Sequence, residues 1–122
     1  MDIFRFRRFP VYLLARDFRK DIKSFSKDNF PKFEKYILIQ QLWRALDSII
    51  LNIAEGSGHY SDTEFSKFLN TALTSLNEVV ACLECAYDDG YISEEKLNNF
   101  IGKAEIIAKQ LKAFSSKVRN SN

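Results

Sequence analysis

Apolar side chains recur at intervals of three and four residues along nearly the whole chain, and this is the spacing of one face of an α-helix. The pattern predicts four helices, over roughly residues 10–27, 32–54, 61–86 and 93–118. No segment shows the two-residue alternation of a β-strand, so we expect an all-α fold. Gly and Pro are scarce, and all but Gly102 fall between the helical segments, at Pro10, Pro31, Gly56, Gly58 and Gly90.

The predicted loops are short, about four to seven residues, so consecutive helices must run antiparallel. Because the chain has 122 residues, we expect a single domain, residues 1–122, folded as an up-down-up-down four-helix bundle. Residues 1–9 form a basic and aromatic arm before the first helix. The absence of a signal-peptide pattern, of a membrane-length apolar run and of more than two Cys predicts a cytoplasmic protein without membrane association.

Two serines mark predicted helix starts. The run Ser61–Glu64 is a capping box, in which the Ser hydroxyl accepts a hydrogen bond from the Glu amide and the Glu carboxylate reaches back. Tyr60 and Phe65 stand where a hydrophobic staple would join the preceding loop to helix three. Ser93 is a good N-cap for helix four.

The net charge of +2 is unevenly distributed. Residues 1–30 carry 8 basic and 4 acidic groups, residues 31–95 carry 4 and 11, and residues 96–122 carry 6 and 1. Helix one neighbours helix four in an up-down bundle, so we expect a positive flank there and an acidic flank on helices two and three. Opposed flanks favour head-to-tail association, which makes a ring if the rotation closes. The 11 Phe residues also favour self-association or a protein partner.

Basic side chains give the strongest functional indication. Four of them on helix one step by four, three and four residues, which places them on one face, opposite the apolar stripe. In the arm, Phe alternates with Arg between Phe4 and Phe9, a composition that can stack on bases and neutralise phosphates. A merely solvated charged face is the competing interpretation. The candidate contacts to RNA or DNA are Arg5, Arg7, Arg8, Arg16, Lys20, Lys23 and Lys27.

Groups that could carry catalysis or bind a metal are few and do not converge. His59 is the only His, so a Ser–His–Asp arrangement would have to use it, and a loop His is more often solvated surface. Cys82 and Cys85 have no second Cys pair, and one distant His cannot complete a four-ligand zinc site. We therefore expect a protein that is not an enzyme, with no catalytic residue, no metal and no cofactor.

Several short motifs, in their order and spacing, resemble the family of four-helix-bundle proteins associated with intervening sequences in 23S ribosomal RNA genes. The resemblance covers nearly the whole chain. The chain departs from the family pattern at His59, where Arg is frequent, and at Thr74, where Gly is frequent. The matching segments are Val11-Tyr12-x-x-Ala15, Phe30-Pro31-x-x-Glu34, Gln41-x-x-Arg44-Ala45-x-x-Ser48-Ile49, Asn52-Ile53-Ala54-Glu55-Gly56, Phe65-x-x-Phe68-Leu69-x-x-Ala72 and Ser75-Leu76-x-Glu78.

The resemblance implies a ring-shaped homo-oligomer, a pentamer, and no known catalytic activity. A relative with the same bundle, the accessory protein of diversity-generating retroelements, binds nucleic acid and a reverse transcriptase, although a shared fold does not itself carry function. Two hypotheses remain open: an oligomeric bundle that binds RNA or DNA or acts as an accessory protein, and a protein-scaffolding ring without a nucleic-acid role. The motif residues expected to have structural or interface roles are Arg44, Asn52, Glu55, Gly56, Ser75 and Glu78.

Overall fold

Four α-helices dominate the computed structural model, which describes residues 2–120. They are α1 at Pro10–Asn29, α2 at Leu38–Ser57, α3 at Asp62–Asp88 and α4 at Glu94–Arg119. Short 3-10 helices precede α1 and α2, at Arg5–Arg8 and Lys32–Tyr36. Within the described range there is no strand, which confirms the predicted all-α class. None of the helices described there is both long and apolar enough to cross a bilayer.

Each helix packs against two others. α1 and α3 both contact α2 and α4, whereas the diagonal pairs make no close backbone approach in the described part of the chain. Short connections join successive helices, and the antiparallel up-down-up-down bundle is confirmed. The α1–α2 and α3–α4 connections therefore lie at one end, which we call the linker end. The N-terminal residues and the α2–α3 connection lie at the opposite end, which we call the arm end.

The apolar stripes of all four helices meet in one core. Burying a large aliphatic or aromatic side chain contributes about 1.5–3 kcal/mol, so this core is the main source of stability. Of the 11 Phe residues only Phe4 and Phe33 are exposed, so most of the Phe surplus is used inside the protomer. The most deeply buried large side chains come from every helix and include Ile22, Leu46, Leu83 and Phe100.

The predicted helix caps are confirmed in part. The hydroxyls of Ser61 and Ser93 each accept a hydrogen bond from the amide three residues on, at 3.1 Å, and so satisfy a free donor of the first turn. The prediction that the Glu64 carboxylate reaches back to the start of the helix is wrong, because this carboxylate instead pairs with a lysine one turn further along, at 3.2 Å. The predicted hydrophobic staple between Tyr60 and Phe65 is also wrong, since Tyr60 is fully exposed while Phe65 is buried in the core.

The start of helix two differs from the prediction. α2 begins at Leu38 rather than near Lys32, because a 3-10 helix and the non-helical backbone of Ile37 (φ −121°, ψ −97°) come first. The Glu34 carboxylate accepts a hydrogen bond from the Leu38 amide at 3.4 Å, so a side chain satisfies one of the free donors of the new helix. Apolar spacing alone cannot separate one 3-10 turn from one α-helical turn. Residues 30–37 therefore form a folded linker.

Candidate functional site

A groove of about 860 Å³ lies at the linker end, between the last turn of α1, the linker and the first half of α2. We call it the basic–aromatic groove. Four exposed cations surround it, at Lys27, Lys32, Lys35 and Arg44. Its other lining residues are Phe30, Pro31, Tyr36, Ile39, Gln40, Trp43 and Asp47.

The one carboxylate of the groove is already neutralised. Asp47 Oδ1 lies 2.7 Å from Arg19 Nε and 2.7 Å from Lys23 Nζ, so two α1 cations converge on one α2 acid. Partial burial raises the pKa of Asp47, but the hydrogen bonds from Lys23 and Arg19 outweigh it and hold the pKa below its usual value. None of the four exposed groove cations makes an ion pair within residues 2–120. The groove therefore carries an uncompensated positive charge.

The tryptophan of the groove is held in place by two contacts. Trp43 Nε1 donates a hydrogen bond to Ser26 Oγ at 2.9 Å, and the Ser26 hydroxyl donates in turn to the Ile22 carbonyl at 2.8 Å. Lys23 Nζ lies 5.1 Å from the Trp43 ring centroid, within cation–π range. A hydrogen-bonded and half-buried ring of this kind is a fixed part of the floor of the groove.

The linker is tied to the α3–α4 connection. The hydroxyl of Tyr91 donates a hydrogen bond to Glu34 Oε2 at 2.8 Å, and the Tyr91 ring packs on Phe30 with centroids 5.4 Å apart. Glu34 is buried, so this bond supplies a partner that its carboxylate needs. The hydrogen bond to Glu34, together with burial, raises the pKa of Tyr91 to about 12. The bond fixes the segment that carries Lys32 and Lys35.

The four predicted cations of α1 do not share one environment. Lys27 lines the groove, and Lys20 is exposed on the same side of the helix. Arg16 is exposed and lies over the Tyr12 ring, 5.8 Å from its centroid. Lys23 is largely buried and committed to Asp47, so it supports the groove rather than presenting a free charge.

The arm lies at the end of the bundle remote from the groove. Phe9 packs on Phe65 and Phe114, with centroids 6.3 and 5.1 Å away, and so closes the core. Arg5 donates a hydrogen bond to the Ser57 carbonyl at 3.2 Å. Arg8 pairs with Asp2 at 2.6 Å, whereas Arg7 is exposed and makes no ion pair in the described range. The arm and the groove are therefore separate positive regions.

The expected positive α1–α4 flank also contains acidic groups. Where α1 faces α4, Asp21 lies 3.4 Å from Lys103, so charges of both signs meet there. A further positive cluster lies at the α1–α2 boundary, where Lys32, Lys35 and Arg44 come from the part of the chain with a net acidic count. A charge count by segment averages over many residues and does not reveal such a local cluster.

The family-motif residues divide into two groups. Ser75 Oγ lies 2.7 Å from the hydroxyl of Ser48, which also accepts from the Asn52 amide at 3.0 Å, so these three side chains link α2 to α3. Gly56 is buried at the close approach of the same two helices. The others, Arg44, Glu55 and Glu78, are exposed and form no ion pair within residues 2–120, so they do not stabilise the protomer by pairing.

His59 and the two cysteines have no catalytic arrangement around them. The His59 ring stacks on Phe68 with centroids 4.7 Å apart, and the nearby Ser57 hydroxyl donates to the Ala54 carbonyl instead of to the His. Cys82 is buried, and burial together with a nearby carboxylate raises its thiol pKa to about 11, so the thiol is unreactive. Residues 2–120 hold no cluster of three His, Cys, Asp or Glu side chains suited to a metal.

Sequence reasoning missed the linker half of the groove. The segment Phe30–Tyr36 alternates aromatic and basic residues much as the arm does, and this was the available signal. Apolar spacing predicts this segment as the first turn of helix two, whereas the 3-10 helix leaves Lys35 and Tyr36 exposed. Trp43, which is half-buried on α2, lines the same groove.

Comparison with known proteins agrees with this bundle. A solved structure of a protein of unknown function from the S23 ribosomal protein family of Bacteroides thetaiotaomicron superposes with a TM-score of 0.74, covering 86% of this chain and 97% of that one. The two sequences are 24% identical, so this likeness shows the shared fold. No curated protein matches the chain. The family described as 23S rRNA-intervening sequence protein matches residues 7–113, and the chain belongs to that family.

Proposed function

We propose that this protein is a non-enzymatic nucleic-acid-binding or accessory protein of the cytoplasm, and that RNA or DNA binds in the basic–aromatic groove. The observation that supports this is the set of four exposed cations around the groove, none of which is neutralised by a carboxylate in the described chain. Phosphates are the natural partners of such a cluster, and aromatic rings between the cations suit bases.

The groove continues as a track of positive charge along α1. Lys27, Lys20 and Arg16 lie on one side of the helix, and they span about 16 Å at the rise of an α-helix. A strand bound in the groove therefore meets further phosphate contacts toward the middle of the bundle. Arg7 lies at the arm end, too far from the groove to contact a short strand bound there, so it would contact only a longer ligand.

The salt dependence of binding tests this proposal. If the four groove cations each neutralise one phosphate of a single strand, the logarithm of affinity should fall with the logarithm of salt concentration with a slope of about −3. Fluorescence anisotropy with a labelled oligonucleotide at several salt concentrations measures that slope. A slope near zero, or no binding at low salt, would contradict the proposal.

Removal of the groove carboxylate should strengthen binding. Asp47→Asn releases Arg19 and Lys23 from their shared partner, so one or two further phosphates can be neutralised. We expect the salt slope to become steeper by roughly 0.7 to 1.4, with higher affinity at low salt. Asp21→Asn, which removes an acid from the α1–α4 side, serves as the control. Equal effects of the two variants would show that net charge, and not the groove, governs binding.

We also propose self-association, in line with the expected ring. It is supported by Leu51, which is 63% exposed on the outer side of α2, and by the unpaired charges of exposed Glu55 on α2 and exposed Glu78 on α3. Light scattering at micromolar concentration tests this, and a pentamer is the expected particle. A monomer of 14.2 kDa would contradict it. A partner pulled down through residues 1–9 and insensitive to nuclease would instead favour the scaffolding role.

A further inference from the structure

We infer that the basic–aromatic groove takes an unpaired nucleotide, so that the protein selects single-stranded over double-stranded nucleic acid. The inference rests on the proposed function and specifies its ligand. It follows from the division of the groove into a charged rim and an apolar floor. Exposed cations form the rim, whereas buried Phe30 and Ile39 and half-buried Trp43 form the floor.

A duplex and a single strand present different chemical groups to such a groove. A duplex presents its phosphates outward and keeps its base faces stacked inside, so it could satisfy the rim but would leave the floor without a partner. An unpaired nucleotide presents a phosphate and an apolar base face together, which matches both parts. The volume of about 860 Å³ is that of a pocket for a small ligand, so its floor accommodates roughly one or two unpaired bases, while the flanking phosphates of the same strand reach the cations of the rim.

Tyr36 is the ring best placed to stack on a base. It lies on the linker 3-10 helix and is 76% exposed, so about three-quarters of its surface is open to solvent. Lys35 Nζ lies over the Tyr36 ring, 5.3 Å from its centroid, so the cation covers one face of the ring and the opposite face can take a base. A base on the ring would therefore bring its own phosphate within reach of Lys35.

Hydrogen bonds hold the residues of the groove in place. Trp43 is fixed by its hydrogen bond to Ser26, and the linker is held by the bond between Glu34 and Tyr91. A platform that is already ordered loses little conformational entropy when the ligand binds. Stacking on such a platform is also tolerant of sequence, because every base has an aromatic face. We therefore expect preference for single strands without strong preference for one sequence.

The test compares three labelled probes by fluorescence anisotropy at equal salt: a single-stranded RNA of about 12 nucleotides, a blunt duplex of the same sequence, and a mononucleotide. The single strand should bind most tightly. Tyr36→Leu should weaken single-strand binding by roughly 5- to 150-fold, the range for one stacked base, and leave duplex binding unchanged. Tyr60→Leu is the matched control, since Tyr60 is an exposed tyrosine at the arm end and should have no effect.

The outcomes separate this inference from the proposed function. Duplex binding as tight as single-strand binding, or equal effects of Tyr36→Leu and Tyr60→Leu, overturns the inference and leaves the proposed function standing. No binding of any probe at low salt removes both. If the mononucleotide binds as tightly as the single strand, the groove still takes an unpaired nucleotide, but its ligand is a free nucleotide. That result contradicts the proposed function.

Discussion

Gly56→Ala should lower the free energy of unfolding by about 1–3 kcal/mol, the range for adding atoms to a filled site. A Cβ at this position would lie 2.6 Å from the Cβ of Phe68 and 3.0 Å from Cδ1 of Phe65. The first of these atoms is attached directly to the α3 backbone, so the two helices would have to move apart. Helix propensity favours Ala over Gly by about 1 kcal/mol, which offsets part of the steric cost and places the net loss in the lower part of that range.

Gly102 provides the matched control for this prediction. It lies in the middle of α4, it is exposed, and a Cβ built on it meets no atom within 4 Å. Gly102→Ala should therefore raise the free energy of unfolding by roughly 0.5–1 kcal/mol through helix propensity alone. Urea denaturation of both variants measures the two changes. If both glycines gave the same stabilisation, α2 and α3 would not approach as closely as described.

Replacing the four rim cations of the groove by Ala should weaken nucleic-acid binding by roughly two orders of magnitude at physiological salt. Each phosphate contact on a single strand releases about 0.7 of a counterion, which corresponds to roughly fourfold in affinity at that salt. The four contacts together give the predicted loss, and the salt slope should fall toward zero. The variant combines Lys27→Ala, Lys32→Ala, Lys35→Ala and Arg44→Ala.

A second variant with four substitutions controls for net charge. The last part of α4 carries four exposed cations at the arm end, away from the groove. Their replacement removes the same charge and should change affinity much less than the groove variant does. Equal losses would show that nucleic acid is attracted to the protein as a whole and that the groove is not the site. The control combines Lys109→Ala, Lys112→Ala, Lys117→Ala and Arg119→Ala.

Local signals in the sequence were enough to predict the bundle. The three-and-four spacing of apolar residues marks each helix, and the caps at Ser61 and Ser93 locate two of the starts. The start of α2 could not be predicted in this way. It depends on Glu34, whose partner Tyr91 is 57 residues away, and no short-range pattern reports such a contact.

The site was predicted less well than the fold, for a similar reason. Helical spacing placed Lys23 correctly among the cations of α1, but its commitment to Asp47 depends on how α1 packs against α2. Lys32 and Lys35 were hidden by the acidic total of the surrounding segment. Their convergence with Lys27 and Arg44 is a property of the folded linker, so it became visible only in three dimensions.

Chemical-shift mapping is the most direct test of the central claim that the basic–aromatic groove is the nucleic-acid site. Backbone amide spectra of the protein, recorded with and without an unlabelled single-stranded RNA of about 12 nucleotides, report which residues contact the ligand. We predict the largest shifts in linker residues 30–37 and in the adjoining parts of α1 and α2, including the indole of Trp43. Shifts confined to the arm end, or to α3 and α4, would contradict the account.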